Sequence, residues 1–184
     1  MAGATPYAFP SMNHQQVYRV LAFDVRAQRC GYAVMEAPAR LVDWGVLTVE
    51  MGHCEAISRL FDRYQPSVVV LRRRKAGEPR DTPGGRRNER VIRTEARRRS
   101  VSVAYLSQAA LWRLFRQHCQ PTKYGIAALL AARFPQLRWK LPPPRKAWKK
   151  EPRRMSVFDA VQLATAFLAL HTGNDRIFQP PGPV

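Results

Sequence analysis

Two carboxylates stand at the ends of runs that are otherwise apolar. Asp24 closes LAFD, and seven residues later Gly31 opens GYAV. A carboxylate at the C-terminal end of a strand, where the following hairpin leaves room, is placed to meet a ligand. An Asp that merely begins a turn with Arg26 has the same local sequence. Asp159 lies in MSVFDAVQLATAFLAL, near the start of an apolar helical pattern. Burying an unpaired carboxylate costs several kcal/mol. Asp159 therefore needs a cation, a hydrogen-bonding shell, or the dipole of a first helical turn, worth about 0.3–1 kcal/mol.

The second chemical feature is positive charge, and it is segregated. Residues 72–99 hold 12 Lys and Arg against 4 Asp and Glu, and residues 138–154 hold 8 against 1, so these segments carry +15 of the formal +18 at a pI near 11.1. The remainder of the chain is close to neutral. Charge gathered this way forms a patch whose natural ligand is a phosphate backbone. Arg72, Arg73, Arg74, Lys75, Arg86, Arg87 and Arg90 in the first segment, and Lys146, Lys149 and Lys150 in the second, are the expected nucleic-acid contacts. Trp139 and Trp148 interleave with the second segment, either as stacking platforms for unpaired bases or as anchors of an irregular loop.

Other chemistries are not indicated. His14, His53, His118 and His171 are scattered without zinc-ligand spacing. No GxxxxGK[ST] or GxGxxG phosphate loop occurs. Cys30, Cys54 and Cys119 form no CxxC pair, which predicts reduced core thiols and a cytoplasmic location. The N-terminus lacks the basic and apolar regions of a secretory signal, and no apolar run reaches the roughly 20 residues of a membrane span.

The elements that must position Asp24 and Asp159 follow from periodicity. VYRVLAFDV, CGYAVMEA and RLVDWGVLTVE read as three short antiparallel strands joined by hairpins. Apolar residues at three- and four-residue spacing from His53 to Tyr64 predict an amphipathic helix. SVVVL then reads as a buried strand in parallel pairing. The turn-former cluster PRDTPGGRRN predicts a basic loop, followed by a basic helix from about Asn88. VSVAYL predicts a strand, SQAALWRLF a helix, and TKYGIAALLAARF a helix capped by Thr122. PQLRWKLPPPRKAWKKEPRR reads as non-helical because of its three successive prolines, and MSVFDAVQLATAFLAL as a buried helix. The chain divides into an N-terminal tail (1–16), one α/β domain (17–177) with basic insertions at 72–99 and 138–154, and a C-terminal tail (178–184).

At these residues the chain resembles the RuvC-type Holliday-junction resolvases and related ribonuclease H-like nucleases. LAFDVRAQRCGYAV is similar to their first strand and hairpin, YQPSVVVL to their helix-to-fourth-strand passage, and FDAVQLATAF to their last helix. The resemblance covers roughly 17–103 and 123–170. It implies a mixed five-stranded sheet, three antiparallel strands then parallel ones, flanked by helices. It also implies a homodimer, since a four-way junction needs two symmetric cuts, and branched DNA or structured RNA as partner. In that family, carboxylates of strand one, strand four and the last helix hold two divalent cations, Mg²⁺ or Mn²⁺, for phosphodiester hydrolysis. Carried over, the catalytic and metal-binding positions are Asp24 and Asp159.

Two positions depart from the family pattern. The strand-four glutamate falls on Arg72, which cannot ligate a cation, and a further aspartate falls on Ser156. Glu151 is the nearby acid that could substitute, although an exposed ion pair with Lys149 or Arg153 is the favoured account of it. Arg72 between Asp24 and Asp159 would replace the metal by a fixed charge, the favoured reading over a one-residue register change that would put it in ordinary solvent contact. The expectation is a RuvC-like nucleic-acid-binding protein whose phosphodiesterase chemistry is lost or weakened. The alternatives are an active Mg²⁺-dependent endonuclease and a non-catalytic ribonucleoprotein scaffold.

Overall fold

The computed structural model describes residues 17–48, 53–75, 77–78, 81–144 and 152–179 of the 184-residue chain. Three strands open the fold: β1 (Arg19–Val25), β2 (Arg29–Glu36) and β3 (Arg40–Thr48). β1 pairs antiparallel with β2, and β2 with β3. After helix α1 (His53–Tyr64), β4 (Val68–Arg72) lies parallel to β1 on its other side, and β5 (Ser102–Leu106) lies parallel to β4. The sheet order is β3-β2-β1-β4-β5. This is the mixed five-stranded arrangement that the sequence implied. β1 is central, so its residues 20–25 are all buried, whereas the edge strand β3 is half-exposed along most of its length.

Helices cover both faces. One core cluster joins β1, β2 and β4 to α3 (Gln108–Phe115), α4 (Lys123–Arg133) and α5 (Met155–Thr172); the other joins the opposite sheet face to α1 and α2 (Pro83–Arg98). α5 has the length and apolarity of a membrane span, but most of it is buried inside the domain against the sheet and α4. Gly173 ends it in the left-handed conformation, φ 61°, that a helix stop without a Cβ adopts most easily.

The structure corrects the expected elements in four places. α2 begins at Pro83 rather than near Asn88, because Thr82 accepts a hydrogen bond from the Gly85 amide (3.1 Å) and a proline suits the first helical position. Gly84 and Gly85 mark close approaches instead of a turn: a Cβ on Gly84 would meet Ala27 at 3.1 Å, and one on Gly85 the Arg74 guanidinium at 2.4 Å. Pro135–Lys140 forms a 3-10 helix, since the prolines that forbid helix begin only at Pro142. Asp175–Phe178 forms another, with Phe178 buried edge-on to Phe115 and stacked on His118 rather than lying in a loose tail. Of the thiols, Cys30 is buried, and burial pushes it up to about 12, while Cys54 is exposed and not part of the core.

Candidate functional site

The site forms where β1 ends. Asp24 pairs in register with Gly31 of β2, and α5 crosses that point so closely that a Cβ on Gly31 would lie 2.0 Å from the Ser156 carbonyl oxygen. The missing side chain is what lets α5 settle over the end of β1. That approach brings Asp159, one turn beyond the start of α5, to Asp24. Asp159 is therefore not a first-turn residue, and the first turn of α5 holds no acid. The two carboxylates converge as the sequence anticipated, and both are nearly inaccessible, at 1% and 4% exposure.

The group between them is Arg26. Its Nε donates to Asp24 Oδ2 at 2.8 Å and its Nη2 to Asp159 Oδ2 at 2.7 Å. Arg26 is thus more than the turn partner of Asp24. It is two residues along an extended chain from Asp24, so both side chains leave on the same side. The turn that carries it is fixed from α2, where the Asn88 amide donates to the carbonyls of Arg26 (2.7 Å) and Ala27 (3.1 Å).

Arg72 brings a second guanidinium to the same site. The β1–β4 register runs to Phe23 and Leu71, so Asp24 and Arg72 are the next residues on adjacent strands. The Arg72 side chain is 10% exposed, lies 3.5 Å from Asp159 Oδ1 through Nη2, and donates through Nη1 to Gln108 Oε1. Lys123, at the first position of α4, adds a third cation 3.7 Å from Asp159 Oδ2. A cation at a helix N-terminus opposes the dipole, which was the one sequence signal that Lys123 has another partner. Arg29 donates to Ser156 Oγ at 3.0 Å, so a cation also faces the neutral position of the family's further aspartate.

Three cations against two carboxylates leave this cluster with a net charge of +1. At an effective dielectric of about 20, unit charges about 4 Å apart interact by on the order of 4 kcal/mol. Any divalent ion would have to overcome that repulsion and displace Arg26. Among the described residues no group of three or more His, Cys, Asp or Glu side chains converges. A void of about 10 Å³ beside Asp24 has room for about one water. The residues present do not fit the two-cation centre that the resemblance implies.

The basic residues separate into two groups. Arg72 and Arg74 turn inward. Arg74 Nε pairs with Glu89 at 2.8 Å, and its Nη2 donates to the carbonyls of Val25 (3.3 Å) and Gly85 (3.0 Å), so it ties α2 to β1. Arg73, Lys75, Arg86, Arg87 and Arg90 are exposed, and Arg93, Arg97 and Arg98 continue that exposure along α2. Arg86 pairs with Asp81 at 2.8 Å. Trp139 is 67% exposed with the Lys140 ammonium 4.3 Å above its ring, which excludes the anchoring role for this tryptophan. Lys146, Trp148, Lys149, Lys150 and Glu151 lie outside the described residues.

No family model and no curated protein sequence matches the chain. Solved structures do. The structure of Thermus thermophilus RuvC with a Holliday junction substrate superposes with a TM-score of 0.60 at 14% identity, covering 85% of this chain and 96% of that one. A second Thermus thermophilus RuvC structure gives 0.61 at 14% identity, with 84% and 96% covered. The yeast mitochondrial Holliday junction resolvase gives 0.55 at 12% identity, with 90% and 83% covered. Together with the strand order and the crossing of α5 over the end of β1, these similarities establish that the chain has the RuvC-like, ribonuclease H-like fold of the Holliday junction resolvases.

Proposed function

We propose that this protein binds nucleic acid on a RuvC-like nuclease fold and has lost metal-dependent phosphodiester cleavage. The observation that carries the loss is the Arg26 bridge between Asp24 and Asp159, reinforced by Arg72 and Lys123. Metal catalysis of this kind needs uncompensated carboxylates, and here each acid already faces a cation. The binding rests on the net charge of +18 and on the arginines exposed along α2. One solved neighbour of the fold holds a Holliday junction substrate, which makes branched DNA the first substrate to test.

The experiment is a titration of four-way junction, duplex and single-stranded DNA, and of structured RNA, across a salt series with Mg²⁺ present. Logarithmic affinity should fall steeply with logarithmic salt, by about 0.9 per phosphate contacted on duplex, and the substrates should be recovered uncut. Replacing Arg87, Arg90 and Arg93 by Gln should lower the slope by roughly one per residue in contact. Affinity indifferent to salt would remove the electrostatic basis of this reading.

A further inference from the structure

A cleft of about 200 Å³ opens next to the carboxylate site, between the start of α4 and the proline segment that follows the first 3-10 helix. Its walls are Lys123, Tyr124, Pro142, Pro143, Pro152 and Met155. The cleft adjoins the charged centre through Lys123. Lys123 belongs to both, and Met155 lies four residues before Asp159, directly below it on the same face of α5.

The chemistry of the cleft is specific in kind. Proline rings, a tyrosine ring and a methionine offer flat or adaptable apolar surface, while Lys123 brings a cation that is 42% exposed. Arg153 and Arg154, between Pro152 and Met155 in the chain, are exposed and place two more cations at that side. A cleft walled by proline, tyrosine and methionine, with Thr122 and the partly exposed Lys123 also on its lining, suits a planar base attached to a phosphate. The volume is well over ten times the about 10–15 Å³ that one water needs by the same measure, so the cleft admits a group much larger than water. Exposed Trp139 stands three residues ahead of Pro142 in the same segment.

We infer that this cleft receives one unpaired nucleobase of a bound nucleic acid, stacked on Tyr124, with the adjoining phosphate resting on Lys123. The inference deepens the functional reading above and depends on it: it names the bound class as nucleic acid with an extrahelical or single-stranded nucleotide. Stacking on an aromatic ring tolerates any base, and a base that is already unpaired costs least to withdraw from a helix.

The test compares four probes of equal length and near-equal charge across one common salt series: a fully paired duplex, a duplex with one unpaired base, the same duplex with an abasic residue at that position, and the RNA counterpart of the second. The unaltered protein should bind the unpaired-base probe, as DNA or as RNA, roughly tenfold more tightly than the paired or abasic probes. Tyr124→Ala should remove that preference and Tyr124→Phe should keep it. Lys123→Gln should weaken the unpaired-base probes more than the paired duplex and lower their salt slope by about one. Equal affinity of the unaltered protein for base-bearing and abasic probes, with salt dependence intact, would overturn the inference and leave the functional reading standing. Failure to bind any probe would overturn both. The abasic comparison needs no variant, so misfolding of Tyr124→Ala cannot obscure it.

Discussion

Removing the Arg26 guanidinium would take from Asp24 and Asp159, both almost wholly buried, the cation that bridges them, with Arg72 and Lys123 still beside Asp159. Breaking a buried ion pair from one side costs about 3–5 kcal/mol, because the remaining charge stays desolvated. Arg26→Met should therefore lower the urea-unfolding free energy by about that amount, and Mn²⁺ should recover part of the loss by binding the vacated acids. A loss below about 1 kcal/mol would show that Arg26 is not the partner that holds the site. The two acids were legible in the sequence because a carboxylate inside an apolar run must have a reason. Arg72 was legible by counting along a strand. Arg26 was present in the sequence only as a turn neighbour of Asp24, since its second bond spans 133 residues and no local pattern encodes it. Arg29 shares that invisibility, because its partner Ser156 lies on another element, while Lys123 gave only the hint of a cation at a helix N-terminus and none of its partner Asp159.

At the scale of elements, the crossing of α5 over β2 depends on Gly31. An added Cβ would lie 2.0 Å from the backbone oxygen of Ser156, an atom that cannot move without moving the helix. Overpacking typically costs about 1–3 kcal/mol. Gly31→Ala should fall at or above the top of that range in thermal or urea unfolding, and wild-type stability would contradict the close approach. The ends of β2 and α2 carry a second signature. Burial raises the carboxyl of Glu36, but its arginine partners Arg19 and Arg40 outweigh that and hold it below its ordinary value; Glu95 is likewise raised by burial and lowered further by Arg99 and Arg98. A carboxylate lowered in the folded state stabilises the protein above its unfolded pKa, about 4.3, and that stabilisation is lost as pH falls through the folded value. Stability should hold from neutral pH to about 5 and then decline. Glu36→Gln should be less stable at neutral pH and less sensitive to acid, and an unchanged acid limb in that variant would contradict the assignment. Strand and helix order could be read from periodicity with little error. The start of α2 could not, because PRDTPGG has turn composition, and only the Thr82 cap and the contacts of Ala27 and Arg74 decide that its glycines are helical.

Over the whole molecule, positive charge is arranged in two ways with different purposes. The exposed arginines of α2 and the neighbouring Arg73 and Lys75 form a surface that attracts phosphate. Arg26, Arg72 and Lys123 neutralise and exceed the two acids at the end of β1. A fold that elsewhere supports cleavage is, on this account, kept as a binding scaffold whose catalytic position is filled by arginine. Calorimetric titration of Mn²⁺ into the metal-free protein tests this most directly, run beside the Arg26→Gln and Arg72→Glu double variant. The unaltered protein should take up no Mn²⁺ at millimolar concentration, whereas the double variant, with three acids and one remaining cation, should bind it and lose that binding on Asp24→Asn. Stoichiometric Mn²⁺ uptake by the unaltered protein, abolished by Asp24→Asn, would contradict the account.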